Sequence, residues 1–173
     1  MIVRPETPAD RDAIDRVTEA AFGRPQEARL VRALRDSKHY VAELALVAEE
    51  AGEVVGHVMF SYVTLTNDDE ERRVLCLAPL SVTPERQRAG VGGALIEAGL
   101  KRADERGEPL VVLLGHPAYY PRFGFRPASE LGIEPPPPDV PSPAFMARPL
   151  SRYHKRYRGT ISYPQEFEAT GTI

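Results

Sequence analysis

Residues 74–106 restrict the fold of this chain more than any other stretch. Val74-Leu75-Cys76-Leu77-Ala78-Pro79-Leu80-Ser81-Val82 is an apolar run that reads as a buried strand, and residues 91–106 carry a helical pattern. Between them, Thr83-Pro84-Glu85-Arg86-Gln87-Arg88-Ala89-Gly90 is a short turn rich in Gly and Arg. A strand, a glycine turn and a helix N-terminus together form an anion site. The first N–H groups of a helix have no intrahelical partner, and the helix dipole is positive there. Glycine lets a phosphate reach those N–H groups without meeting a Cβ, and Arg86 and Arg88 add positive charge beside the turn.

The spacing narrows the choice of phosphate ligand. A Walker loop requires Gly-x4-Gly-Lys-Ser/Thr, and no Lys-Ser or Lys-Thr pair occurs in the chain. A dinucleotide fingerprint requires Gly-x-Gly-x-x-Gly/Ala, but Gly90-x-Gly92 is followed at the third position by Leu95. What is present is Gln87-x-x-Gly90-x-Gly92. This resembles motif A of the GNAT acyltransferases, Arg/Gln-x-x-Gly-x-Gly/Ala, whose turn wraps the pyrophosphate of coenzyme A. A second segment points the same way. Residues 110–115 read as a buried strand, followed by His116-Pro117-Ala118-Tyr119-Tyr120-Pro121-Arg122-Phe123-Gly124-Phe125. That string resembles motif B of the family, Tyr-x-x-x-Gly-Phe, and in its longer form the YhbS-like branch.

Composition limits the class. At 173 residues the chain can bury a sizeable core, and 42% hydrophobic with 27% charged residues is ordinary for a globular domain. A net charge of −3 argues against a mainly nucleic-acid-binding role. The single Cys76 permits neither an internal disulfide nor a cysteine zinc cluster, so a cytoplasmic setting and no metal are expected. The N-terminus lacks the apolar core of a signal peptide, and no apolar run approaches the ~20 residues of a membrane helix.

The remaining pattern fills in one domain, 1–173, with motif A at about 74–106, motif B at about 110–126 and irregular C-terminal strands over 127–173. Residues 2–4 form a first strand, and Thr7 caps a helix with Pro8 at its first position. A second helix spans 26–36, and strands 45–49 and 54–66 flank an Ala51-Gly52 hairpin. Residues 67–73 read as a polar loop. A helix beginning near Ala118 would put Pro121 in its first turn and Phe123 in the core. Residues 134–143, rich in proline, read as an extended surface loop. Strands follow at 145–150 and 160–163, with the basic Arg152, His154, Lys155, Arg156 and Arg158 between them as a solvated loop. The fold class is α/β: a mixed, mostly antiparallel central sheet with helices on both faces. The resemblance adds that parallel strands 4 and 5 splay apart.

The resemblance also implies the chemistry. Acetyl-CoA is the cosubstrate, its pantetheine beside Leu80, Ser81 and Val82 and its pyrophosphate on Gln87, Arg88, Ala89, Gly90, Val91, Gly92 and Gly93. An amine acceptor attacks the thioester directly in a ternary complex, and a backbone N–H near Val82 stabilises the developing oxyanion. Tyr120 meets the departing thiolate. An amine with a pKa of about 10 must lose a proton, and Glu27 leads as the base, with His57 and His116 as rivals. No nucleic acid or membrane partner is implied, and a homodimer stays open. The alternative is a noncatalytic acyl-CoA-binding or sensing module.

Overall fold

The structure, a computed structural model, describes residues 1–68, 70–136 and 142–172. Contacts divide the chain into two compact units. One comprises 1–61, 78–102 and 165–173, the other 62–77 and 103–164.

In the first unit, β1 (Ile2–Pro5) pairs antiparallel with β2 (Tyr40–Glu50), which pairs antiparallel with the opening part of β3 (Glu53–Asn67). Ala51 and Gly52 both have positive φ, 50° and 81°, as a two-residue type I′ hairpin requires. Leu44 to Ala48 are fully buried in sequence, so this strand is covered on both faces rather than alternating. Helix α1 (Arg11–Phe22) buries Ile14, Val17 and Thr18 and ends at Gly23, whose left-handed φ of 69° sends its N–H back to the Glu19 carbonyl at 2.8 Å. Ahead of α1, a 3-10 turn over Pro8–Asp10 is fastened by the Asp10 carboxylate, which accepts from the Thr7 N–H at 2.7 Å and its hydroxyl at 3.0 Å. Helix α2 (Gln26–Arg35) buries Leu30, Val31 and Leu34.

In the second unit, the first part of β4 (Glu70–Val82) pairs in parallel with β5 (Leu110–Leu114) through Leu75–Val111 and Cys76–Val112. Strand β5 also pairs antiparallel with β8 (Phe145–Pro149), which pairs with β6 (Arg126–Pro127). The end of β3 pairs with β9 (Gly159–Ser162), and β9 with β7 (Ile133–Glu134). The sheet is thus mixed and mostly antiparallel, with the parallel step at β4–β5. The last α-helices are α3 (Val91–Glu105) and α4 (Gln165–Ala169).

Two expectations need correction, and a third lies outside the described residues. Residues 70–73 are not loop: β4 starts at Glu70, and Arg73 lies over the Tyr62 ring at 4.3 Å, a tertiary contact that local polarity does not reveal. Motif B has no full helix. A single 3-10 turn, Tyr120–Phe123, ends at Gly124 with φ 83°. Phe123 is therefore only half-buried, against Tyr119, and Phe125 is the buried ring. The proline-rich stretch falls largely on 137–141, outside the described residues.

Candidate functional site

The glycine turn is held open by the elements on either side. At the end of β4, the Thr83 N–H donates to the Val55 carbonyl at 2.9 Å. A 3-10 turn, Pro84–Arg86, follows, and then Gln87 is extended. The Gln87 amide reaches back to the Val82 carbonyl at 3.1 Å, tying the turn to the strand end. Arg88 and Gly90 then take left-handed φ values of 61° and 87°. For a non-glycine residue that conformation is uncommon and costs roughly 1 kcal/mol or more, so Arg88 marks a backbone shape held by its surroundings. The Ala94 N–H donates to the Gly90 carbonyl at 3.1 Å, leaving the N–H groups of Val91, Gly92 and Gly93 as helix-start donors. Residues 87–90 are exposed, and a Cβ at Gly90 would meet nothing within 4 Å. The exposed turn therefore leads directly to unpaired backbone donors at the positive end of a 15-residue helix.

Of the two arginines expected to charge this turn, only Arg88 is unpaired among the described residues. Arg86 binds Glu50 at 2.8 Å and holds that carboxyl below its ordinary value. The helix is seated by two glycines. A Cβ on Gly56 would lie 2.9 Å from Val91 Cγ1, and one on Gly99 would lie 2.1 Å from Phe60 Cε2. The Val91 side chain thus packs directly on the Gly56 backbone of β3 and the Phe60 ring on the Gly99 backbone of α3, which seats the helix against the strand. Ser81 is buried, its hydroxyl 3.1 Å from that of Thr18 on α1; Leu80 and Val82 are half-buried.

The first unit also holds two of the proposed bases. Glu27 is 3% exposed, at the start of α2. Both its oxygens lie 3.0 Å from Arg24 Nε, and Arg24 Nη2 binds as well. His57 is fully buried on β3, its Nε2 2.9 Å from Glu6 Oε2. Glu6 also accepts from Arg35 Nε at 2.8 Å and the Tyr40 hydroxyl at 2.9 Å. Burial pushes the Glu6 carboxyl up, but the bonds from His57 and Arg35 outweigh it and bring it down to about 2. Glu27 and His57 therefore sit in separate networks.

The second unit carries Tyr120 and His116. The His116 carbonyl accepts from the Tyr119 N–H at 3.0 Å and the Tyr120 N–H at 3.4 Å, and its side chain is exposed. The Tyr120 ring lies edge-on to Tyr119 and Phe125, with centroids 5.1 and 5.8 Å apart. It occupies the space a side chain at Gly115 would fill, since a Cβ there would be 2.4 Å from Tyr120 Cε2. Burial, with a smaller contribution from Tyr119, pushes the phenol up to about 12. Among the described residues its hydroxyl has no partner, which leaves it a neutral donor free to meet a ligand.

A family model for the acetyltransferase (GNAT) domain matches residues 2–128, well over half of the chain. The chain belongs to the GNAT acetyltransferase family. The matched part contains the turn and Tyr120. Among GNAT relatives, the uncharacterized N-acetyltransferase YjhQ of Escherichia coli K12 is 39% identical over 121 residues, 70% of this chain and 67% of that protein. The crystal structure of YhbS from Escherichia coli in complex with CoA has a TM-score of 0.87 at 32% identity, covering 96% of this chain and 91% of that one. A GNAT family acetyltransferase from Brucella melitensis in complex with acetyl-CoA has a TM-score of 0.78 at 34% identity, covering 96% and 97%. The mixed sheet and its parallel β4–β5 step are the GNAT fold. Among the described residues no helix is long and apolar enough to cross a membrane, and no three His, Cys, Asp or Glu side chains cluster as metal ligands.

Several structurally decisive residues escape a reading by pattern. Gly115 looks like an ordinary strand end, and only the position of Tyr120 shows why it has no side chain. Arg88 gives no sequence sign of its left-handed backbone. Arg24 and Glu27 stand three apart across a Gly-x-Pro break, a spacing that carries an ion-pair signal only once Arg24 is read with the first turn of α2.

Proposed function

We propose that this chain transfers an acetyl group from acetyl-CoA to an amine, binding the pyrophosphate on residues 87–93. The observation that carries this reading is the exposed turn, with Arg88 and Gly90 left-handed and helix-start donors behind them. These donors suit a diphosphate, and Gly90 leaves the approach clear. The CoA and acetyl-CoA complexes of the two similar structures support the same ligand.

In the proposed reaction, the pantetheine arm lies along Leu80, Ser81 and Val82. The neutral amine nitrogen attacks the thioester carbonyl, a C–N bond forms, the C–S bond breaks and the thiolate departs. The Tyr120 hydroxyl donates a hydrogen bond to the departing sulfur. Its raised value keeps it protonated throughout the neutral range. Glu27 takes the amine proton, and it must first release Arg24, whose side chain is 47% exposed and free to swing outward. His57 is committed to Glu6, and we assign it to packing. His116, exposed and close in sequence to Tyr120, is the second-choice base. The fully buried Cys76, pushed up to about 12 by burial, fits a reducing compartment such as the cytoplasm and takes no part.

The test is continuous thiol release from acetyl-CoA across a panel of amino acids, polyamines, aminoglycosides and peptides. Amine-dependent release of one CoA per acetylated product supports the transferase. Tight acetyl-CoA binding without release for any amine supports the sensing module instead.

A further inference from the structure

A groove of 440 Å³ in the second unit is lined by cationic side chains that the transferase reading does not use. Arg126 comes from β6, Glu130 and Leu131 from the 3-10 turn Ala128–Leu131, and Tyr153, Lys155 and Arg158 from the segment joining β8 to β9. Among the described residues, Arg126, Lys155 and Arg158 make no side-chain hydrogen bond or ion pair. Arg4, Arg24, Arg32, Arg35, Arg72 and Arg86 each pair with a carboxylate, whereas Arg16 and Arg29 pair with no described carboxylate; what sets Arg126, Lys155 and Arg158 apart is that they line one groove together. Among the described residues the only acidic side chain lining the groove is Glu130, so three cations against one carboxylate leave a local charge of +2 in a chain whose net charge is −3. All three cations are exposed, so an anion entering the groove meets charges that no carboxylate already neutralises.

The loop carrying them is tied down. The Tyr153 N–H donates to the Leu150 carbonyl at 3.0 Å, the Tyr157 N–H to that of His154 at 3.0 Å, and the Gly159 N–H to that of Gly132 at 2.9 Å. The cations are thus presented by a shaped surface. Its volume lies within the range of small-molecule sites.

We propose that this groove binds a small phosphomonoester. Phosphate monoesters carry about −1.5 to −2 charges at neutral pH, which matches the local +2. Two guanidinium forks suit phosphate oxygens, and Lys155 supplies a third charge. Tyr153 and Leu131 give the body of the ligand a partly apolar wall, and Glu130 accepts from a hydroxyl or amino group on it. A sugar phosphate and a nucleotide share this chemistry.

The test is calorimetric titration of the full chain, saturated with CoA, with ribose 5-phosphate, adenosine monophosphate and inorganic phosphate, against ribose and adenosine. Saturation separates this groove from any coenzyme phosphate subsite. The phosphate esters should bind at least tenfold more tightly than their dephosphorylated forms, and the tighter of the two identifies the body the groove prefers. Arg158→Ala and Lys155→Ala should each weaken binding roughly tenfold, the effect of one charge-assisted bond. Glu130→Gln should tighten inorganic phosphate binding, a change of sign that a damaged fold does not produce. Arg152→Ala is the control and should change nothing. Three results overturn the proposal: esters binding no better than the free sugar or nucleoside, affinities unmoved by all three groove variants, or loss of CoA affinity in those variants, which would make the groove part of the coenzyme site.

Discussion

Replacing Tyr120 by Phe separates a hydrogen bond to sulfur from simple packing. Burial pushes the phenol up to about 12, well above the ~8.5 of an ordinary thiol, so complete proton transfer to the thiolate is uphill. Tyr120 therefore works as a hydrogen-bond donor to developing charge rather than by surrendering its proton. Such a bond is worth roughly 1.5–3 kcal/mol, so kcat should fall roughly 10- to 150-fold while acetyl-CoA affinity holds. Phe keeps the edge-on contacts with Tyr119 and Phe125, so thermal stability should stay near wild type. The assay is steady-state thiol release with the best amine, alongside calorimetry for acetyl-CoA. Because the group stays neutral well past its ordinary value, the ratio of wild-type to variant kcat should be flat from about pH 7 to 10. A kcat within twofold of wild type would refute the role in turnover. A loss appearing in acetyl-CoA affinity instead would assign the hydroxyl to binding.

Gly115→Ala should cost turnover roughly as much as Tyr120→Phe, because its Cβ would stand 2.4 Å from the Tyr120 ring and force it aside; wild-type kcat in a folded variant would show that the ring's place is unimportant. Gly99→Ala should lower stability by roughly 1–3 kcal/mol, since the new methyl meets Phe60 at 2.1 Å, and an unchanged urea midpoint would contradict the close seat of α3. The Glu6 carboxyl, brought from 4.5 to about 2, contributes stability that is complete above about 4.5 and lost as pH falls toward 2. Glu6→Gln should therefore destabilise the protein at neutral pH and flatten its acid-unfolding curve in that window, and identical curves would show that the His57–Arg35 network contributes nothing.

What pattern alone revealed followed from how local each signal is. The β4–turn–α3 unit was legible because its information is contiguous: an apolar run, a glycine pair and a helical repeat meet within 33 residues, 74–106. The hairpin at Ala51-Gly52 was legible for the same reason. Strand β4 was read four residues short because Glu70 to Arg73 is polar, and charged residues in an exposed ladder carry no periodic signal. Helix α4 has five residues, with Phe167 its one buried side chain, too few for any period. The strand-to-helix turn that carries Gln87, Gly90 and Gly92 was legible from spacing. The neutralisation of Arg86 by Glu50, 36 residues away in sequence, and the seating of Tyr120 on Gly115 are tertiary facts that no local window contains.

The central claim is that the turn at 87–93 holds the coenzyme pyrophosphate, and titration calorimetry of acetyl-CoA into wild type and Gly92→Leu tests it most directly. A leucine at the second position of α3 suits a helix, so the fold should persist, while its side chain obstructs phosphate approach to the helix-start N–H groups. One acetyl-CoA per wild-type chain, with affinity at least tenfold weaker in a variant of unchanged melting temperature, is the predicted result. Equal affinity in the two proteins would contradict it.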